Sequence, residues 1–172
     1  MRGVLALSVL VAACSATADP TVAGLSGSNI GPIHFGMTVS EIEALGLPIR
    51  RDQMLLEGDP YNLITVTVDE SEPVVVILQG DRVGDIETRS PAFATAQGAR
   101  VGDTLSELRA IYPAGEVNIG YEEGRYFNFE TPDHGFFDLD KTGVPESCYE
   151  YRGDCPDLGA QRSTGYRIRD VS

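Results

Sequence analysis

The sequence is poor in the residue types on which many catalytic and metal sites depend. Its 172 residues include two histidines, three cysteines and no tryptophan. Zinc enzymes use several histidine or cysteine ligands, and many nucleophilic serines lie in a Gly-x-Ser-x-Gly turn, which this chain lacks. We therefore predict that the protein is not an enzyme and has no catalytic residue, no metal site and no cofactor.

Basic residues are also scarce. Lysine and arginine together number 13, against 26 acidic residues, so the formal net charge is -13. Nucleic acids and anionic lipid surfaces attract basic patches, so this charge argues against either as a partner. It permits a cationic protein partner, although acidity also keeps a protein soluble.

No apolar run is long enough to cross a bilayer, which takes about 20 residues. The run from Val4 to Ala13 has Ser8 as its only polar member and follows the basic start Met1-Arg2. A short apolar run after a positive start is typical of a secretory signal peptide. We expect residues 1–13 to be that signal and the mature protein not to be an integral membrane protein.

The end of this run resembles the lipobox of bacterial lipoproteins, in which a cysteine is acylated and becomes the N-terminus. Val11-Ala12-Ala13-Cys14 matches at all four positions, which implies lipidation of Cys14. Ser15 after it favours the outer membrane over the inner one. Ala16-Thr17-Ala18 offers a competing cleavage site that would give a soluble periplasmic or secreted form. Residues 14–29, rich in small polar residues, are predicted to be a flexible tether.

The two remaining cysteines, Cys148 and Cys155, are predicted to form a disulfide. A secretory signal sends them to an oxidising compartment, where pairing is the default. A cysteine-based metal site would need further sulfur ligands or suitably spaced histidines, which the sequence does not offer.

One phrase occurs twice in the sequence, over 36–46 and again over 102–112. In each copy a threonine precedes a glutamate by three residues, as Thr38 and Glu41 and as Thr104 and Glu107. This is the spacing of a capping box, in which hydroxyl and carboxylate each accept from a free backbone N–H at a helix start. The spacing explains both glutamates as caps and not as catalytic groups.

After each short helix the hydrophobic period changes to the alternation of β-strands. Strands are predicted in the first copy around 64–68, 73–78 and 83–86, and in the second around 116–119, 126–129, 135–139 and 166–168. The predicted fold is α+β, with two tandem units, each a short capped helix packed on antiparallel strands. The units are assigned to 30–89 and 90–172.

The Gly36-Met37-Thr38-x-x-Glu41 opening, continued by Leu45-Gly46-Leu47-Pro48, resembles the SmpA/OmlA outer-membrane lipoprotein family, which includes the BamE assembly component. Tandem units of this kind are also similar to those of β-lactamase inhibitory protein. The resemblance implies an envelope lipoprotein whose helices pack on antiparallel sheet. The matched residues cover two short stretches of the chain, and most of them belong to the start of a helix.

The second unit is longer than the first, and the extra residues fall at about 142–160, around the two late cysteines. A loop closed by a disulfide holds a fixed shape, and its Tyr149, Tyr151 and Arg152 are residue types enriched in binding hot spots. Aromatic neighbours such as Phe136 and Phe137 must face opposite sides of a strand, so one side of the sheet can be exposed. We predict a module that binds an unidentified envelope protein through a sheet face and this loop.

Two alternative functions remain open. The acidity, with the resemblance to an inhibitor fold, favours an inhibitor of a cationic hydrolase such as lysozyme. Asp138-x-Asp140-x-Thr142-Gly143 is similar to half of a calcium loop, and with His134 it suggests a calcium-binding or hydrolytic envelope protein. The loop's twelfth position is Tyr149, where a calcium loop has a glutamate.

Overall fold

In a computed structural model of the chain, the structure describes residues 24–56, 58–68, 72–122, 124–150 and 155–169. The predicted signal peptide, the lipidation at Cys14 and two of the proposed partner-binding residues, Tyr151 and Arg152, lie outside these residues. The described residues contain twelve strands, two α-helices and one 3-10 helix.

The elements follow one another along the chain as short strands, a helix and a group of long strands, twice over. The strands are β1 Gly24–Ser26, β2 Asn29–Ile30, β3 Ile33–His34, β4 Ile49–Leu56, β5 Asp59–Val66, β6 Val74–Gln79, β7 Arg82–Thr88, β8 Ala94–Thr95, β9 Glu116–Tyr121, β10 Arg125–Glu130, β11 Phe136–Leu139 and β12 Ser163–Arg169. The helices are α1 Val39–Ala44, α2 Leu105–Ile111 and the 3-10 helix Glu146–Tyr149.

Eight strands form one antiparallel sheet in the order β4-β5-β6-β7-β12-β11-β10-β9. Each half of the chain supplies four strands in sequence order, and the two last strands, β7 and β12, pair at the centre with Ile86 opposite Ile168. A smaller sheet has the order β3-β2-β1-β8, with β1 and β8 parallel. The two predicted units therefore share a continuous main sheet.

The α+β prediction is wrong, because the fold is mostly β. Strands account for 47% of the structure and helical residues for 12%. The two helices have six and seven residues, lengths at which a helix depends on packing for its stability. The capping signals at the two helix starts are strong and suggested a larger helical content than the fold has. β4 was not predicted, because its Arg50-Arg51-Asp52 run obscures the alternation of a strand.

The predicted tether is also wrong for its last part. Residues 24–29 include β1, which pairs with both β2 and β8. Leu25 is 3% exposed and Ile30 fully buried, so this hairpin belongs to the core. The small polar residues that suggested a linker, Gly27 and Ser28, form the turn between β1 and β2, because turns favour these residue types.

One face of the main sheet forms the core together with both helices and the small sheet. All seven strands predicted from alternation are present. Most of their inward side chains are buried, and Phe129 and Phe137 are fully buried with Ile42 of α1 and Leu108 of α2. The alternate side chains of the same strands lie on the opposite face, which is described below.

Both predicted capping boxes are confirmed. The Thr38 N–H donates to Glu41 Oε2 at 2.7 Å, and the Glu41 N–H donates to Thr38 Oγ1 at 3.3 Å. Thr104 and Glu107 make the same pair of bonds at the same distances. Each carboxylate is therefore used at a helix start, as the spacing in the sequence predicts.

We expect these caps to weaken in acid. Hydrogen bonds from the backbone N–H and hydroxyl of Thr38 lower the pKa of Glu41, and those of Thr104 lower the pKa of Glu107. A lowered pKa in the folded state contributes stability above the ordinary value of 4.5, which is lost as the pH falls through the folded pKa. The stability advantage of the native chain over a Glu41→Gln, Glu107→Gln variant should therefore shrink between pH 7 and pH 3 in urea unfolding. An advantage that stays constant would contradict this role.

Candidate partner-binding surface

The face of the main sheet that points away from the core is called the open face. Its side chains are only half-buried where their neighbours in the same strand are buried, as for Ile77 beside Val76 and Phe136 beside Phe137. From the strand register it comprises Arg50, Asp52, Met54, Tyr61, Leu63, Thr65, Val75, Ile77, Asp85, Glu87, Glu116, Asn118, Tyr126, Asn128, Glu130, Phe136, Asp138, Arg167 and Arg169. Asn128 is the buried member of this face, at 5% exposure. Alternation in strands thus gives the chain a second face that is partly apolar.

Arg167 lies at the middle of this face and is held in place by its neighbours. Its Nε donates to Asp138 Oδ1 at 2.9 Å, and its guanidinium lies 5.4 Å from the centre of the Phe136 ring. The side chain of Arg167 is 16% exposed, so the ion pair is partly screened from water. Arg169 and Glu87, on neighbouring strands, are exposed and make no ion pair within the described residues.

Three depressions in the open face share Arg167 and Arg169 as lining residues. They have volumes of about 220, 330 and 590 Å³. The largest is lined by Asn118, Glu122, Tyr126, Asn128, Phe136, Arg167 and Arg169. Tyrosine, phenylalanine and arginine are enriched in protein interfaces, and amide side chains supply adaptable hydrogen bonds there.

In the disulfide loop, Tyr149 has a different role from the one predicted for it. Cys148 and Cys155 are joined, as the sequence analysis predicts, with their Cα atoms 4.6 Å apart. Tyr149 is 4% exposed, and burial raises the pKa of its hydroxyl. The assignment of Tyr149 to partner binding is therefore wrong, because its side chain is covered by the protein itself.

Tyr149 instead fixes the loop to the edge of the main sheet. Its ring centre lies 5.7 Å from that of Tyr121, and the Arg125 guanidinium lies 5.2 Å from the centre of the Tyr149 ring. Arg125 also forms an ion pair with Glu146 in the 3-10 helix. A cation held over an aromatic ring is stabilising, so this group anchors the loop.

The residues of the calcium or hydrolase alternative are engaged in separate local contacts. Asp138 is paired with Arg167. Asp140 Oδ1 accepts the Thr142 N–H at 2.9 Å, and this hydrogen bond lowers the pKa of Asp140. His134 Nδ1 lies 2.7 Å from Glu130 Oε1. Across the described residues, no cluster of three or more His, Cys, Asp or Glu side chains is placed to hold a metal ion.

Sequence reasoning missed most of the polar residues of the open face. Arg167 and Arg169 alternate with Tyr166 and Ile168 in β12, and Tyr166 and Ile168 are buried. An arginine at every second position of an apolar strand indicates a charged face opposite the core. That signal is in the sequence, but the position of Asp138 and Phe136 beside Arg167 depends on strand pairing.

No helix in the described residues has the length and apolar character needed to cross a membrane.

No protein-family model matches the chain. No curated protein matches it either. Among solved structures, the chain is similar to the uncharacterized protein yfeY from Escherichia coli, with a TM-score of 0.55 and 12% sequence identity. The similarity covers 86% of this chain and 97% of that one. At this identity the similarity concerns the fold alone, and it provides no link to the SmpA/OmlA family.

Proposed function

We propose that this protein is a non-enzymatic component of the bacterial cell envelope that binds another protein through the open face of its main sheet. The observation that carries the proposal is the half-exposed row of apolar and aromatic side chains on that face, set around Arg167. Aromatic residues and arginine, which this face carries, are enriched in protein interfaces. The burial of Tyr149 removes this residue from the surface predicted from the sequence and leaves the sheet face as the part on which the proposal rests.

The proposed location in the cell envelope follows from the N-terminal sequence. We propose that Cys14 is acylated and holds the protein at the membrane, the outer membrane in preference to the inner one, with a soluble periplasmic or secreted form as the alternative. Incorporation of an alkyne fatty acid by the native chain, and its loss in Cys14→Ser, is the expected result. Labelling that survives in Cys14→Ser would contradict the anchor.

Site-specific photo-crosslinking in cells tests the open face. A photoreactive residue at Ile77 or Phe136 is expected to trap the same partner, because both positions lie on the open face. The matched control is Leu45, which is 37% exposed at the end of α1 and away from this face. A partner trapped equally well from Leu45, or from neither open-face position, would contradict the proposal.

The trapped partner then allows a quantitative test. Tyr126→Ala is expected to weaken its binding about thirtyfold, the loss of about 2 kcal/mol that is usual for an aromatic hot spot. Leu45→Ala should leave the affinity unchanged. Equal affinities of the two variants would place the interface elsewhere.

The net charge of -13 supports a second candidate, inhibition of a cationic hydrolase. Stoichiometric protein is then expected to lower the activity of a lysozyme at low salt and to lose this effect as salt screens the charges. Full activity at low salt would exclude this candidate and leave the first one intact.

A further inference from the structure

The two outer strands of the main sheet differ in how their free backbone groups are protected. β4 and β9 are the edges of the eight-stranded sheet. An edge strand presents unpaired N–H and C=O groups that can pair with another chain, and natural proteins block most edges with charge or proline. An edge without these residues can accept a strand from another chain.

The middle of the β4 edge is blocked. The Thr67 N–H donates to Pro48 O, and this register places the backbone groups of Ile49, Arg51, Gln53 and Leu55 on the outer side. Arg51 carries a charge there, paired with Glu43. The Gln53 N–H is already taken by Asp52 Oδ1 at 2.9 Å.

The β9 edge is covered by the 3-10 helix at its Tyr121 end and has neither a proline nor a basic residue. The Glu122 N–H donates to Gly124 O, and this register directs the backbone groups of Val117, Ile119 and Tyr121 outward. β9 contains no lysine, arginine or proline, and no described strand pairs with its outer side. The described protein approaches this edge at its Tyr121 end, where Tyr149 of the 3-10 helix packs on the Tyr121 ring.

The charge around β9 indicates what kind of strand it can accept. Glu116 and Glu122 are exposed at its two ends, and Glu130 lies opposite Glu116 on β10. Arg125, the nearest arginine, is engaged by Glu146. A second copy of the chain would bring the same acidic groups and a net charge of -13, so like-charge repulsion disfavours self-pairing.

We propose that β9 accepts an added β-strand from a basic segment of another protein, in which lysine or arginine residues flank a short run of β-branched residues. Backbone hydrogen bonds to Val117 and Ile119 would hold the strand, and its basic ends would meet Glu116 and Glu122. This site is separate from the open face and does not depend on the function proposed for that face.

The probe is the peptide Lys-Thr-Val-Thr-Val-Thr-Lys, capped at both ends and labelled for fluorescence anisotropy. Val117→Pro removes an outward N–H that β10 does not use, and is expected to weaken binding about tenfold, the loss of roughly one hydrogen bond. Arg51→Pro, the matched change on the β4 edge, should leave the affinity unchanged. Glu116→Gln with Glu122→Gln should weaken binding and reduce its salt dependence.

A second measurement keeps the test valid if Val117→Pro does not fold. The same peptide, N-methylated along both edges, cannot pair with a strand and is expected not to bind the native protein. Amide exchange in the complex with the parent peptide should slow at Val117 and Ile119, and Ile77→Asp on the open face should bind the peptide normally. Undiminished binding of the methylated peptide, protection confined to β4 or the open face, or self-association through β9 would each overturn the proposal.

Discussion

Replacing Phe137 by alanine is expected to lower the free energy of unfolding by about 3–5 kcal/mol, the cost of removing a buried aromatic ring from a packed core. Phe137 is fully buried in β11, and its ring packs edge-on against Tyr166 with 4.8 Å between the ring centres. The cavity would lie beside β12, which joins the two halves of the main sheet. Urea unfolding at equilibrium measures the effect.

The neighbouring residue provides the matched control, because Phe136 points to the other face of the same strand. Phe136→Ala removes a half-exposed ring and its contact with the Arg167 guanidinium, so we expect a loss of about 1 kcal/mol. The two variants should also differ in function, with reduced partner binding in Phe136→Ala and unchanged binding in folded Phe137→Ala. Equal losses of stability would mean that the open face is covered as well as the core face.

Removing the disulfide is expected to have the second largest effect on stability. Cys148 and Cys155 close a loop with a sequence separation of 7, for which the entropy of the unfolded chain gives about 2–3 kcal/mol. Because Cys148 is 6% exposed, alanine is the suitable replacement at both positions. The double variant should unfold at lower urea concentration, and reduction of the native protein should give a similar shift.

The same double variant shows whether the loop is held in place by the disulfide or by the contacts of Tyr149 and Arg125. If Tyr149 and Arg125 already fix the loop to the sheet, partner capture through the open face should survive in the double alanine variant while it remains folded. An unchanged urea midpoint would show that those contacts hold the loop without the covalent bond. Deleting the loop is a weaker test, because Val144 is buried and Gly159 O accepts the Ser106 N–H of α2 at 2.9 Å.

The parts of the site that sequence predicted are those that depend on alternation within one strand. Because Tyr126 and Phe127 are neighbours, one of them had to face away from the core, and Phe127 is the buried one. Which residues surround the outward ring could not be predicted in this way. Arg167 and Asp138 are 29 residues apart in sequence and meet only because β11 pairs with β12.

The burial of Tyr149 could not be predicted from the sequence around it. An aromatic residue next to a cysteine in a polar loop has the composition of a binding residue, and nothing local shows that Tyr121 and Arg125 will cover it. Its burial depends on the 3-10 helix reaching the β9 edge, a contact between distant parts of the chain. Composition therefore overestimated the exposure of Tyr149.

Features whose partners lie within a few residues could be predicted from the sequence: the capping boxes, most strands, the turns between them and the short disulfide loop. These interactions form at short chain separation and need little loop closure. Tertiary packing joins the two predicted units in one main sheet, leaves one face of that sheet open and makes β9 its edge without a basic residue or a proline. Those features arise from strand pairing between distant segments, chiefly β7 with β12, whose order and register are set by the packing of the whole core.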